Sequence, residues 1–314
     1  IVETIPLSFQ HLTAMFGATI LVPLILGVNP AICLLMNGIG TLIYSYVTKG
    51  GIPAYLGSSF AFISPTILII TSFGGFSHAQ SGFIFFGLFF ILMSYIVKKF
   101  GIKWIDVVMP PAVMGAVVAV IGLELAPNAA IQSGLAPAAT AVGKVVQPYV
   151  ADPKVIFVAL FTLAIGIFGS VIFRGFAQVI PILIAVVSGY ILAFIMGMVD
   201  TKIIADANWF SLPKFQAPVF DWSAIFIIAP ACIVVFAEHI SHLIVTGKIT
   251  GSNLLVDPGL YRSLLGDGIS NVISGFTGST PNTTYGENIG VMAITRVYSV
   301  WVIRGAAIFA IIFS

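Results

Sequence analysis

Charge is what this chain has least of. Of its 314 residues, 13 are Lys or Arg and 11 are Asp or Glu, 8% in all, against roughly 25% in an ordinary soluble domain. The net charge of +2 offers no basic surface for nucleic acid. Cysteine is nearly absent. Cys33 and Cys232 lie in apolar runs, so no cysteine metal cluster is available, nothing supports a disulfide, and both read as buried thiols. The phosphate-cradling G-x-x-x-x-G-K-[ST] loop is missing, which leaves ATP-driven transport without support. Glu238-His239-Ile240-Ser241-His242 is neither H-E-x-x-H nor H-x-x-E-H, so the zinc-protease helix is absent. No metal and no cofactor are expected. A nucleophile–base constellation is also missing, which argues against an enzyme. The opening residues, with Glu3, do not resemble a cleavable signal peptide.

What the chain has instead is apolar length. It is 59% hydrophobic, with a mean hydropathy of +1.12. Many of its runs approach the ~20 residues that cross a bilayer as a helix. The reading is an all-α polytopic membrane protein with spans at 6–27, 31–48, 58–73, 80–98, 108–126, 155–173, 176–199, 223–246, 262–276, 283–296 and 297–314. The third, ninth and tenth are short and interrupted or flanked by Gly, Ser and Pro. Polar-tolerant loops fall at 127–153 and 200–221. With the N-terminus inside, inner connections hold nine basic residues (Lys49, Lys98, Lys99, Lys103, Arg174, Lys248, Arg262, Arg296, Arg304) and outer ones four, the bias of an N-cytoplasmic topology. The chain begins without Met and stops at Ile-Ile-Phe-Ser inside an apolar run. It therefore reads as a fragment ending in segment 11.

Two stretches echo each other. Gln10-His11 precedes Tyr55-Leu56-Gly57-Ser58-Ser59-Phe60. Glu238-His239 precedes Thr283-Thr284-Tyr285-Gly286-Glu287 by a similar gap. Seven segments separate the copies, so the second is inverted in the membrane. Paired short segments in inverted repeats mark a secondary transporter with a site near the bilayer midplane. Gly57-Ser58-Ser59 and Thr283-Thr284-Tyr285-Gly286 favour extended backbone, which survives at that depth only inside protein or against a cavity. The two strands could pair. The half-helices after them would aim free N–H groups at electronegative ligand atoms.

Ionisable groups within membrane segments are functional candidates. Glu238 and His242 are four residues apart and share a helix face, where a carboxylate and an imidazole can share a proton. His239 is rotated about 100° away. Glu287 follows Gly286 at the start of a half-helix, where it can accept ligand N–H groups. Asn288 reads as a brace across the short strands. His11 and Gln10 read as packing polar groups, His78 as solvated in an outer turn, and Glu124 as interfacial.

The run Glu287-Asn288-Ile289-Gly290-Val291-Met292-Ala293-Ile294-Thr295-Arg296 resembles the signature of the nucleobase–ascorbate transporters, the nucleobase–cation symporter-2 family. Gln10-His11, Gly57-Ser58-Ser59-Phe60 and Ala237-Glu238-His239 resemble its other elements, in order. Purine members usually carry Gln where Glu287 stands, so the resemblance is to the uracil branch. It implies an inverted seven-plus-seven repeat with two short antiparallel strands in the discontinuous segments 3 and 10. It divides the chain into the opening section of a core domain (1–105, segments 1–4), the opening section of a gate domain (106–221, segments 5–7) and a returning section of the core (222–314, segments 8–11). It also implies import of uracil with a proton across a bacterial inner membrane. In that scheme Glu238 and Glu287 contact the base, backbone N–H groups of Phe60 and Gly286 meet its carbonyls, and Tyr285 and Ala18 shape the pocket. Glu238 with His242 couples the proton, and Asn288, His11 and Ser59 give support. A purine such as xanthine or urate, another pyrimidine, or an anion carried by a related fold remain alternatives. A homodimer stays open, and the expected surroundings are a lipid bilayer.

Overall fold

Apolar runs of membrane length become helices wherever glycine and proline do not interrupt them. The computed structural model describes residues 4–105, 151–178, 181–200 and 212–314, with isolated positions between 116 and 137. Most of the expected span 108–126, Glu124 and much of the two long loops lie outside the described residues. In chain order the helices are α1 (Thr4–Ile25), α2 (Pro30–Val47), α3 (Ile63–Phe73), α4 (Phe76–Phe100), α5 (Pro153–Ile172) and α6 (Pro181–Ile195). Then come α7 (Trp222–Thr250), α8 (Leu260–Thr277), α9 (Gly286–Thr295) and α10 (Val300–Ile312). Strands β1 (Leu56–Ser58) and β2 (Asn282–Thr284) precede α3 and α9. Among the described residues, α1, α2, α4 and α7 are long and apolar enough to cross a membrane. Local chemistry sets several ends. Asn29, Asp152 and Asp221 accept hydrogen bonds from the first turns of α2, α5 and α7, as N-caps do. Gly278, at φ +90°, ends α8 in a left-handed conformation open to glycine.

The contacts divide the chain into two compact units, 1–121 with 213–314, and 122–212. In the smaller, α5 packs on α6, with Gly189 against the Thr162 side chain. The larger unit shows the inverted repeat as an exchange of packing partners. Its two halves run α1–α2–β1–α3–α4 and α7–α8–β2–α9–α10. Helix α1 packs on α10 and α7 on α4. Helix α2 packs on α10 and α8 on α4, while α2 and α8 pack on each other in the middle. Small residues permit the close crossings. A Cβ on Gly87 would lie 2.6 Å from the Val272 backbone nitrogen, and one on Gly268 2.8 Å from the Gly87 carbonyl oxygen.

The strands pair antiparallel in the register Leu56↔Thr284, Gly57↔Thr283 and Ser58↔Asn282. A two-stranded ribbon leaves its outer edges without partners, a severe cost at membrane depth. Each edge is met by a side chain from the second helix of its own half. Leu56 N–H donates to Thr41 Oγ1 at 2.9 Å. Asn282 N–H donates to Asn271 Oδ1 at 2.6 Å, and Asn271 Nδ2 donates to the Asn282 carbonyl at 3.0 Å. The ribbon extends by Ser59 N–H to the Pro281 carbonyl and Tyr285 N–H to the Tyr55 carbonyl. Both thiols are free and buried.

Candidate functional site

The ribbon ends where the two half-helices begin, and a cavity of about 290 Å³ opens there. From the β1 side it is lined by Ser58, Ser59 and Phe60. Helix α7 contributes Glu238 and His242. Thr283, Tyr285, Gly286 and Glu287 come from β2 and the start of α9. The first N–H groups of a helix have no intrahelical acceptor, so the starts at Phe60 and Gly286 set backbone donors beside two carboxylates. Three larger clefts lie elsewhere in this unit, one of them a cleft of about 340 Å³ beside Lys248 and Asn253. Another is apolar and rests against Trp301 and Phe309, and a third surrounds Lys49 and Arg262. None of the three combines carboxylates with half-helix starts.

Each wall is fixed by bonds to another element. His242 Nδ1 is 3.1 Å from Thr284 Oγ1, which ties α7 to β2 and holds the imidazole at the cavity. Tyr285 Oη donates to the Ser58 carbonyl at 3.0 Å, so its ring lies over Gly57. A Cβ at Gly57 would overlap that ring. Gly57→Ala is therefore expected to cost about 1–3 kcal/mol by overpacking, visible as a lower melting temperature of the purified variant. An unchanged melting temperature would mean the ring has room to move.

Asn288 braces a different partner from the one its sequence position suggests. It does not bond across the strands; its Nδ2 lies 3.0 Å from His11 Nδ1 and donates to the His11 carbonyl at 3.3 Å. That joins α9 to α1, and both residues are buried. Ser59 lines the cavity, and its hydroxyl has no hydrogen-bond partner among the described residues. The side chain of Ala18 lies outside the described residues. His78 is not merely solvated: its ring stacks on Phe73 and its Nδ1 is 3.4 Å from Asp221 Oδ2.

Sequence reasoning passed over a second polar group. His239, rotated away from the cavity, has Nδ1 3.0 Å from Asp267 Oδ2, both side chains fully buried. Its Nε2 lies 2.7 Å from Ser263 Oγ, which lies 2.6 Å from Tyr44 Oη. Asp267 also accepts from Asn271 Nδ2 at 2.9 Å. The signal was present, because Asp267 is an ionisable residue inside an expected span. His239 comes from α7 and Tyr44 from α2, partners that no local pattern identifies.

Two broken helices meeting on a buried ribbon, with carboxylates and an imidazole around one small cavity, fit a membrane transporter. Comparison with known proteins agrees. Residues 2–314 match the family model described as Permease family, and the chain belongs to that family. It is 59% identical to the uracil permease of Paenibacillus larvae subsp. larvae over 312 residues, 99% of this chain and 73% of that protein. It is also 59% identical to the uracil permease of Escherichia coli K12, over 100% of this chain and 71% of that one. A putative pyrimidine permease of Escherichia coli K12, RutG, is 38% identical over 99% of this chain and 69% of its own length. Among solved structures, the transmembrane domain of a cyanobacterial bicarbonate transporter, BicA, superposes with a TM-score of 0.64 at 17% identity. The superposition covers 96% of this chain and 81% of that one, which shows the shared fold. The protein is thus a multi-pass membrane transporter, not an enzyme.

Proposed function

We propose that this protein imports uracil together with a proton. The carrying observation is that Glu238 and Glu287 line one cavity with the starts of two half-helices. Uracil presents two N–H donors and two carbonyl acceptors, and the cavity presents the complementary set. At about 290 Å³ it sits just below the roughly 300–1,000 Å³ of drug-sized sites, which suits a single ring. The two uracil permeases at 59% identity support the same substrate. Glu287 reads the base, with the Gly286 and Phe60 N–H groups on its carbonyls. Glu238 accepts the proton on the outer side with His242 as partner, binds uracil, and releases both inside. The N-terminus is cytoplasmic, in the inner membrane. The unit that carries the site moves as a core against a gate drawn from 106–221, giving alternating access.

An anion substrate, as the name of the bicarbonate transporter states for that protein, fits this cavity poorly, because two carboxylates repel it. The test is uptake of labelled uracil into liposomes holding the full chain, with xanthine and thymine as competitors. Strong competition by xanthine would shift the assignment to a purine. Conductance with no proton requirement would point to a channel.

A further inference from the structure

Basic side chains gather at one end of the larger unit around a cleft of about 700 Å³, within the roughly 300–1,000 Å³ of ligand sites. Lys49 follows the end of α2, Tyr261 and Arg262 stand in the first turn of α8, and Asn253 and Asp257 come from the chain between α7 and α8. The two cations have no counterion. The ion pairs among the described residues are His78 with Asp221 and His239 with Asp267, so Asp257 pairs with neither Lys49 nor Arg262. Arg262 Nε donates to Tyr261 Oη at 2.8 Å and its Nη1 reaches the Val47 carbonyl at 3.5 Å. Those bonds fix the guanidinium and leave Nη2 without a partner among the described residues. Lys49 holds a left-handed backbone, φ +56°, where glycine or asparagine is the usual choice. The charge is placed there against backbone preference.

More positive charge stands beside the cleft. Lys98 Nζ lies 5.8 Å from the centre of the Tyr261 ring, which the Arg262 guanidinium also approaches at 5.3 Å. Arg304 donates to Ser45 at 2.8 Å, and a Cβ on Gly50, next to Lys49, would lie 3.4 Å from its Nη2. Like charges gathered this way repel unless an anion sits among them. A phosphate meets both lining cations at once, through charge-assisted bonds from the guanidinium and the ammonium, with the Asn253 amide as a neutral donor. The neighbours of the cleft select the source of that phosphate. Trp301, 4.7 Å from the Arg304 guanidinium, is exposed, as are Tyr95, Phe100 and Val256, the last on the cleft itself. Exposed Trp and Tyr beside Lys and Arg mark the headgroup level of a bilayer. Basic pockets between transmembrane helices at the cytoplasmic end hold anionic headgroups.

We propose that this cleft binds the phosphate of an anionic phospholipid headgroup, with Lys49 and Arg262 as its cationic ligands. Asp257 opposes the anion and limits its affinity. The bound headgroup joins the end of α2 to the start of α8. Those helices carry Thr41 and Asn271, which hold the outer edges of the ribbon, so the lipid braces the frame of the central cavity from the membrane surface. The cleft shares no lining residue with that cavity, and the proposal stands whatever the transported substrate.

The test titrates the purified full chain with phosphatidylglycerol and counts bound lipid by native mass spectrometry. Phosphatidylcholine, whose phosphate is neutralised by its own ammonium, and soluble glycerol phosphate are the comparison ligands. Lys49→Gln and Arg262→Gln are each expected to weaken phosphatidylglycerol binding about fivefold, the usual contribution of one Lys or Arg to an anionic lipid. Asp257→Asn should tighten it about two- to fivefold, as loss of one exposed charge contact does. Lys99 belongs to the same basic end but lies against Phe100 and outside the cleft, so Lys99→Gln should change binding less than about twofold. Wild-type affinity in both Lys49→Gln and Arg262→Gln overturns the proposal. Equal loss in Lys99→Gln and Lys49→Gln also overturns it, since the attraction would then be a diffuse positive surface. Equal retention of phosphatidylcholine and phosphatidylglycerol, or displacement of the lipid by an equal concentration of glycerol phosphate, overturns the anionic-lipid assignment. If Arg262→Gln fails to assemble after losing its Tyr261 bond, Lys49→Gln and the gain in Asp257→Asn decide.

Discussion

Glu287→Ala is expected to weaken uracil binding about 10–10²-fold, since a hydrogen bond to a charged group carries about 1.5–3 kcal/mol. The side chain stands in the first turn of α9, on the cavity wall. It forms no ion pair among the described residues, so its loss should fall on the ligand and not on the fold. Glu287→Gln keeps the shape and one acceptor oxygen but gives up the charge. Its affinity should lie between wild type and Ala. Calorimetric titration of each purified variant with uracil gives the order directly. Equal affinity of Ala and wild type would remove Glu287 from the binding site. An analogue lacking the ring N–H should be rejected less strongly by Ala than by wild type, because the unpaired carboxylate that rejects it is gone.

Glu238→Gln should separate uracil exchange from uracil accumulation. Under the proposed coupling, a proton that binds with uracil makes lower external pH favourable, raising apparent affinity by up to about tenfold per unit while the site is mostly deprotonated outside. The sign follows from linkage: uracil that binds better to the protonated site makes the proton bind better in its presence. A glutamine is neutral at every pH and has no proton to release inside. The variant should exchange uracil across a membrane at a rate independent of pH and fail to concentrate it against a gradient. Uptake measured at several external pH values, with and without an imposed proton gradient, reads both effects. A pH slope that survives the substitution would place the coupling proton elsewhere in the protein.

Much of the architecture could be read along the chain. The expected span 31–48 appears as Pro30–Val47 and 223–246 as Trp222–Thr250, because length and hydrophobicity are properties of a contiguous run. The two interrupted spans emerge as strand followed by helix, since Gly57 and the Thr283–Gly286 stretch disfavour helix where they stand. Pairing of the strands also followed, because a lone strand cannot satisfy its backbone at that depth. The edge partners were not visible. Thr41 and Asn271 are ordinary polar residues in helices, and their role comes only from facing Leu56 and Asn282. Asn288 meets an unexpected neighbour for the same reason: its partner His11 lies 277 residues away.

By itself the sequence determined that the chain crosses a membrane, where its helices break, and that Glu238 and Glu287 lie within apolar spans. Each of these depends on the cost of burying local polar groups, which is written residue by residue. Only the tertiary structure decided which polar group meets which. Glu238 and His239 are adjacent in the chain, yet about 100° of helical rotation sends one to the cavity and the other to Asp267. That division is set by the packing of α7 against α4, α9 and the ribbon. It depends on contacts between distant segments, and those exist only once the halves have folded onto each other.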